Sequence, residues 1–402
     1  FLLSCFPRTF KATSGWPYEF ENTGAGIGPF ALLAVLPLAH LTHHHLITPS
    51  ADGQAIFVSA QYFVTLLLFY LICRSGLRSA RAFRTLLLGL LTILFLEAFY
   101  GLTNLLAGNK LLLFYVRGAS LESATGTLVN RNHFAYLMEM ALPLSLMSNV
   151  LLHTAHASHR HWIPQSEDTA RRILASVLAV VIGLALLFSH SRMGIVSFVL
   201  ATVAVTGISA AVRPGRPHRS GHRVGIWVLA VVIIGYAAAI GLDPVLDRFF
   251  QIERDLETGR FVIWRIALAM FVEHPLIGHG WGPFESLAHG YRPGPTGMFY
   301  SHAHNEYLEV MAESGIVGLG IVLWLVFLFG RRLVKTLARP LTTLQRTTVV
   351  AFGVAITSIL IHSLADFGLR IPGVALAFVY VVALFTRVTE NPSLVDGRKA
   401  LP

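Results

Sequence analysis

Apolar runs close to 20 residues long recur along this chain, and they constrain its fold more than any other feature. A helix needs about that length to cross a bilayer. In lipid every backbone polar group must be satisfied internally, so the expected fold class is all-α, a polytopic transmembrane helical bundle. A β-barrel would need alternating segments of roughly 10 residues, and these runs do not alternate. Composition agrees: only 13% of residues are charged, against about 25% for soluble domains. Hydropathy places spans at 27–47, 54–73, 85–106, 134–152, 173–189, 193–212, 225–241, 306–330, 347–365 and 371–387, ten in all. The chain starts at Phe1 with an apolar stretch, so a further N-terminal span is expected to precede it. With two cysteines, Cys5 and Cys73, there is no disulfide framework to read.

Basic residues orient the bundle. The loops at 74–84, 153–172, 213–223 and 331–346 and both termini hold 21 of the 31 Lys and Arg residues, and they fall on one side in an alternating count. That side is expected to be cytoplasmic. The net charge of +10 is thereby explained without nucleic acid; the basic string RPGRPHRSGHR reads as a topogenic loop near anionic headgroups. The chain is read as one integral membrane domain over 1–402, with a long periplasmic loop at 242–305. Within that loop FVIWRIALAMFV is too short to span and is expected to form an amphipathic interfacial helix.

Ten basic residues lie on the outer side, against the bias: Lys110, Arg117, Arg131, Arg192, Arg248, Arg254, Arg260, Arg265, Arg292 and Arg370. Arg192 sits in a turn between two apolar spans, where a guanidinium must snorkel to headgroups or find an anion. Arg260 and Arg265 flank the start of the short apolar piece, and Arg370 is close enough to Asp366 to pair with it. Fixed guanidiniums at the outer interface suit phosphate oxygens, which their planar fork binds bidentately. Charged residues are read as clustered at span ends. The string SHAHNEYLEVMAESGIVGLG at 301–320 places His302, His304 and Asn305 before a span. Asn305 is a suitable N-cap, and Glu306, Glu309 and Glu313 suit a helix N-terminus. A capped helix start with chance histidines, a His-x-His metal pair and a catalytic imidazole all remain open at this point, though no standard zinc spacing is present.

The His304-Asn305 pair, followed after nine residues by Gly315 and Gly318, resembles the O-antigen ligase and O-antigen polymerase superfamily of bacterial envelope glycosyltransferases. SHSRMG around Arg192, TGRFVIWRIAL, EHPLIGHGWGPFES, NRNHFA and HSLADFG carry the likeness from about residue 125 to 375. Such proteins usually have about a dozen spans, two more than are read here. The resemblance implies a C-type glycosyltransferase-like bundle in the bacterial inner membrane with a periplasmic active site. The implied reaction moves a glycan from undecaprenyl diphosphate to a sugar hydroxyl, with no metal or other cofactor and with inversion. The expected partners are the lipid-linked donor, a lipid A-core or other glycan acceptor, and membrane lipids. Metal-free transfer needs a base near neutral pH and fixed positive charge for the leaving diphosphate. His304 is therefore the expected base, Arg192, Arg260 and Arg265 the diphosphate ligands, and His302, Asn305 and Asp366 supporting residues. An O-antigen ligase is the leading reading. An O-antigen or exopolysaccharide polymerase and a protein O-oligosaccharyltransferase share its donor chemistry. A polyprenyl-linked glycan transporter would want internal repeats and charges inside several spans, and a cell-wall polymerase of the shape-and-division type would not need the His304 motif.

Overall fold

A computed structural model of the protein describes residue 35 and residues 52–113, 115–116, 122–158, 165–212, 260–291 and 300–396. The long elements are α1 (Asp52–Gly76), α2 (Ala80–Leu106), α3 (Arg131–Ser158), α4 (Gln165–Phe188), α5 (Arg192–Ala211) and α6 (Arg260–Glu273). They continue with the short α7 (Phe284–Ala288), then α8 (Glu306–Leu337), α9 (Thr343–His362), α10 (Pro372–Glu390) and the short α11 (Ser393–Asp396). Among the described residues the only sheet is a hairpin of two-residue strands, Leu111–Leu112 with Tyr115–Val116. The protein is thus an all-α polytopic membrane protein. Eight of the ten expected spans correspond to helices, while 27–47, apart from residue 35, and 225–241 lie outside the described residues, as do 242–259 and 292–299 of the loop at 242–305.

Six helices (α1, α2, α5, α8, α9 and α10) are long and apolar enough to cross a membrane. Their outward faces show Phe57, Leu68, Leu88, Ile93, Leu200 and Phe327 to the surroundings. In water such a surface would be unfavourable; against lipid it has no cost. The 28-residue α3 is less apolar, and its position explains why. Residues 133–141 are buried without a break, so this stretch of the helix is surrounded by protein rather than lipid. It packs against α4 and α9, α9 packs against α5, and α10 packs against α1. Pro143 inside α3 lacks the N–H that would continue the ladder.

The two ends of the bundle differ in charge chemistry. At one end Glu390 gathers Arg74, Arg332 and Arg387 at 2.9, 3.0 and 3.2 Å, joining α1, α8 and α10. These are basic residues that the alternating count places on a common side. The opposite end holds the segments around 123–130, 188–191, 274–291, 300–305 and 363–370.

α8 is interrupted at Gly315, whose φ of 61° and ψ of −162° lie far from helical values. The segment Pro275–Gly280 docks into the break and restores its hydrogen bonds. Ile316 N donates to Pro275 O (2.9 Å), Val317 N to Leu276 O (3.2 Å), and Gly280 N to Glu313 O (2.8 Å). A Cβ on Gly315 would come within 2.4 Å of the Leu276 carbonyl carbon, so the motif glycine is required both by its conformation and by this contact. Gly315→Ala is expected to destabilise the protein by at least the 1–3 kcal/mol of a left-handed residue. Gly320→Ala, where a Cβ would meet nothing within 4 Å, is the control, and thermal unfolding in detergent should separate the two clearly.

Candidate active site at one end of the bundle

The site begins with the half-helix of α8 that precedes the break, Glu306–Ser314. Asn305 caps it, its Oδ1 accepting from Tyr307 N (3.0 Å) and Leu308 N (3.1 Å), as the sequence suggests. Glu306, Glu309 and Glu313 follow at spacings of three and four, so they share one face, and all three are buried. That face meets Arg370, which lies in a short 3-10 turn, Gly368–Arg370. The guanidinium reaches Glu306 at 3.4 Å, Glu309 at 3.3 Å and Glu313 at 2.8 Å, and lies 5.8 Å from the Trp281 ring centre. Burial works against its charge, but three carboxylates outweigh it and hold the Arg370 proton more tightly than usual. The expected Arg370–Asp366 pair is therefore corrected: Arg370 turns to α8 because three buried carboxylates need a cation there. These acids also lie inside a helix that reads as a span, as does Glu139 on α3, so charges are not confined to span ends.

Asp366 faces a different set of partners. Its carboxylate accepts from Asn132 Nδ2 (2.5 Å) and from Phe367 N (2.9 Å), and one oxygen lies 3.3 Å from His304 Nδ1. Burial opposes ionisation here too. His304, the Phe367 N–H, His362 and His133 nevertheless hold the carboxyl well below the usual range. His302 uses its own carboxylate, with Nδ1 2.7 Å from Glu309 Oε1. The two imidazoles meet on Phe367: His302 stacks on its face at 4.1 Å and His304 stands edge-on at 4.8 Å. His304 also holds a left-handed backbone, φ 49°, which is uncommon for a residue with a Cβ. Neither histidine turns to a shared third ligand, and among the described residues no group of three His, Cys, Asp or Glu is arranged to hold a metal ion.

The arginine-bearing elements border this centre. α6 carries Arg260 and Arg265, and its Trp264 Nε1 donates to Ala303 O at 3.1 Å, between the two histidines. Ile263, Ile266, Ala267 and Met270 of α6 pack with Tyr300, Ala303 and Ala312. The opposite side of α6 shows Phe261, Leu268 and Val272 together with the exposed Arg260 and Arg265. Arg192 is the first residue of α5, whose N-cap is Ser191. Two residues later Gly194 lies so close to Ala135 of α3 that a Cβ would approach to 2.8 Å. Asn132, in the same turn of α3, holds Asp366. Arg192, Arg260 and Arg265 are exposed. Unlike Arg370, none has a carboxylate within ion-pair reach among the described residues.

A cavity of about 500 Å³ opens between α1, α8, α9 and α10. His302, Glu306, Arg370 and Trp281 line its polar end, Phe63, Leu66 and Val379 are among its apolar wall residues, and Arg332 lies at the other end.

Fold and site together define a polytopic helical membrane protein whose chemistry gathers at one end. That end carries two imidazole–carboxylate pairs, and the elements packed beside them bear guanidiniums with no carboxylate within ion-pair reach among the described residues. Residues 177–323 match the family model described as O-Antigen ligase. The chain is 29% identical over 134 residues to an exopolysaccharide production protein, ExoQ, of Rhizobium meliloti (strain 1021), covering 30% of each chain. It is 25% identical over 305 residues to an uncharacterized protein of Haemophilus influenzae, covering 69% of this chain and 72% of that one. The alignment with the first relative spans less than a third of that protein's length. The kinship with the O-antigen ligase and polymerase superfamily, drawn above from the His304 string, holds over the residues matched.

Glu309, Asn132, Phe367 and Trp264 were not singled out from the sequence as site residues, although each lies in a string that carries the family likeness. The fold makes Arg370 the counter-charge for α8. Arg370→Ala should therefore leave three buried carboxylates unpaired and cost roughly 3–5 kcal/mol. Arg370→Lys, which keeps the charge but not the fork, should lose less, and detergent-solubilised thermal midpoints read the order.

Proposed function

We propose that the protein is a glycosyltransferase of the bacterial inner membrane. It moves a glycan from undecaprenyl diphosphate to a sugar hydroxyl on the periplasmic face. The observation that carries this reading is the division of arginines at the site end. Arg370 is consumed by Glu306, Glu309 and Glu313, whereas Arg192, Arg260 and Arg265 are left exposed, with no carboxylate within ion-pair reach among the described residues. Guanidiniums held without a counter-ion at such a position suit an external anion, and a lipid-linked diphosphate brings its charge to that depth.

In this reading the acceptor hydroxyl attacks the anomeric carbon while His304 takes its proton, with Asp366 at 3.3 Å orienting the imidazole. The bond from the anomeric carbon to the diphosphate oxygen breaks, and its electron pair stays on the diphosphate. Arg192 and Arg260, with Arg265, meet that growing charge. Attack opposite the leaving group inverts the centre. The match to the O-antigen ligase model supports lipid A-core as acceptor. A polymerase that extends an exopolysaccharide is the second reading, favoured by the likeness to the exopolysaccharide production protein. The same donor chemistry serves either acceptor.

Two outcomes test the proposal. Single-cysteine labelling should place positions in 274–291 outside and positions in 331–342 inside; the reverse would put His304 in the wrong compartment. In reconstituted transfer from an undecaprenyl diphosphate glycan, His304→Ala should lose at least about 100-fold in turnover with donor binding retained. Arg192→Ala should weaken donor binding as well, and Arg192→Lys should restore it only in part. Chelator should leave the rate unchanged. Near-normal turnover in His304→Ala removes the base assignment.

A further inference from the structure

Glu139 is fully buried in the middle of three helices, and the chemistry above does not use it. It projects from α3. One oxygen lies 2.6 Å from His362 Nδ1, at the end of α9, and the other 2.8 Å from Ser197 Oγ, on α5. A carboxylate inside a span is unfavourable unless it is paired, and it is a candidate for a functional role. Here each partner opens onto one half of the site.

On the α5 side, Ser197 lies less than two turns beyond Arg192, and Gly194 between them sits so close that a Cβ there would come within 3.0 Å of Glu139 Oε1. On the α9 side, His362 is the last helical residue, and its ring stacks on Tyr136 of α3 at 4.0 Å and 16°. The chain leaving it carries Ser363, whose carbonyl accepts from Glu306 N at 2.9 Å. Next come Asp366 beside His304 and then Arg370 with its three carboxylates. Gly368 of the same turn is pressed against Tyr136, where a Cβ would approach to 2.6 Å. The exit of α9 and the start of α5 are thus both registered on one turn of α3, with Glu139 bonded to each.

We propose that Glu139 is a positioning residue that sets Arg192 against the His304–Asp366 segment by bonding Ser197 and His362 at once. This rests on the reading of Arg192 as a donor ligand. Misplacing a charge by about 1 Å is enough to cost much of its effect on a bound anion or a transition state.

The test is a set of double-mutant cycles on the full chain in nanodiscs, reading affinity for undecaprenyl diphosphate. Glu139→Gln replaces one accepting oxygen by an amide and should break one of the two bonds with little change in volume. Affinity should fall about tenfold in the otherwise native protein and less than about twofold in Arg192→Ala, because residues acting through one another are non-additive. In Arg260→Ala the tenfold loss should persist. Ser197→Ala, which removes the tie to α5 together with that hydroxyl's bond to Met193 O inside the helix, should show the same pattern, and it decides the matter if Glu139→Gln does not fold. Unchanged affinity in both variants, or equal losses in all backgrounds, overturns the proposal. If Arg192→Ala itself binds normally, the donor-site reading fails instead, and the same cycles on glycan turnover then decide the positioning role.

Discussion

The cluster of Arg370 with Glu306, Glu309 and Glu313 is the interaction on which the site end depends. Three carboxylates on one face of a buried half-helix would repel one another strongly, and a single guanidinium holds them by reaching all three at 2.8 to 3.4 Å. The consequences spread outward. Glu309, fixed by Arg370, takes His302 Nδ1 at 2.7 Å and the Ala303 N–H at 2.7 Å, which sets the histidine loop. Glu306 accepts from Leu369 N, which closes the turn carrying Arg370. Breaking a buried pair leaves uncompensated charge, so these contacts form or fail together.

The same arrangement separates two uses of arginine. At the end marked by Glu390, Arg74, Arg332 and Arg387 join helix termini. At the site end Arg370 is internal, and Arg192, Arg260 and Arg265 are exposed. Identical side chains thus serve as structural counter-ions where a carboxylate is built beside them, and only in the proposed reading do the others meet an outside anion.

Much of the helical framework was legible because spanning helices leave long apolar runs, and α1, α2, α5, α8, α9 and α10 each carry one. Asn305 as a cap was readable from local chemistry, and Asp366 as a supporting residue from the family likeness, though not its place beside His304. The sequence misdirected at Arg370, since Asp366 is four residues away while Glu313 is far along the chain; proximity in sequence outweighed a tertiary face that only packing reveals. The Glu139–His362 contact spans 223 positions, and nothing local announces it. The break at Gly315 was visible as a motif glycine, but its cause, the docking of Pro275–Gly280, belongs to the fold.

The interruption of α8 also acts as a depth gauge. An unbroken helix over Glu306–Leu337, 32 residues, would rise about 48 Å, well beyond a hydrocarbon core of roughly 30 Å. From the break onward the remaining turns rise about 33 Å, close to that thickness. The chain therefore stops being a spanning rod at the level of the break, and the half-helix Glu306–Ser314 with its three carboxylates lies beyond it. Adding or removing one residue below Gly315 would displace that level by about 1.5 Å and rotate the rod by about 100°. Length and phase of this one helix are accordingly locked to the thickness of the membrane it occupies.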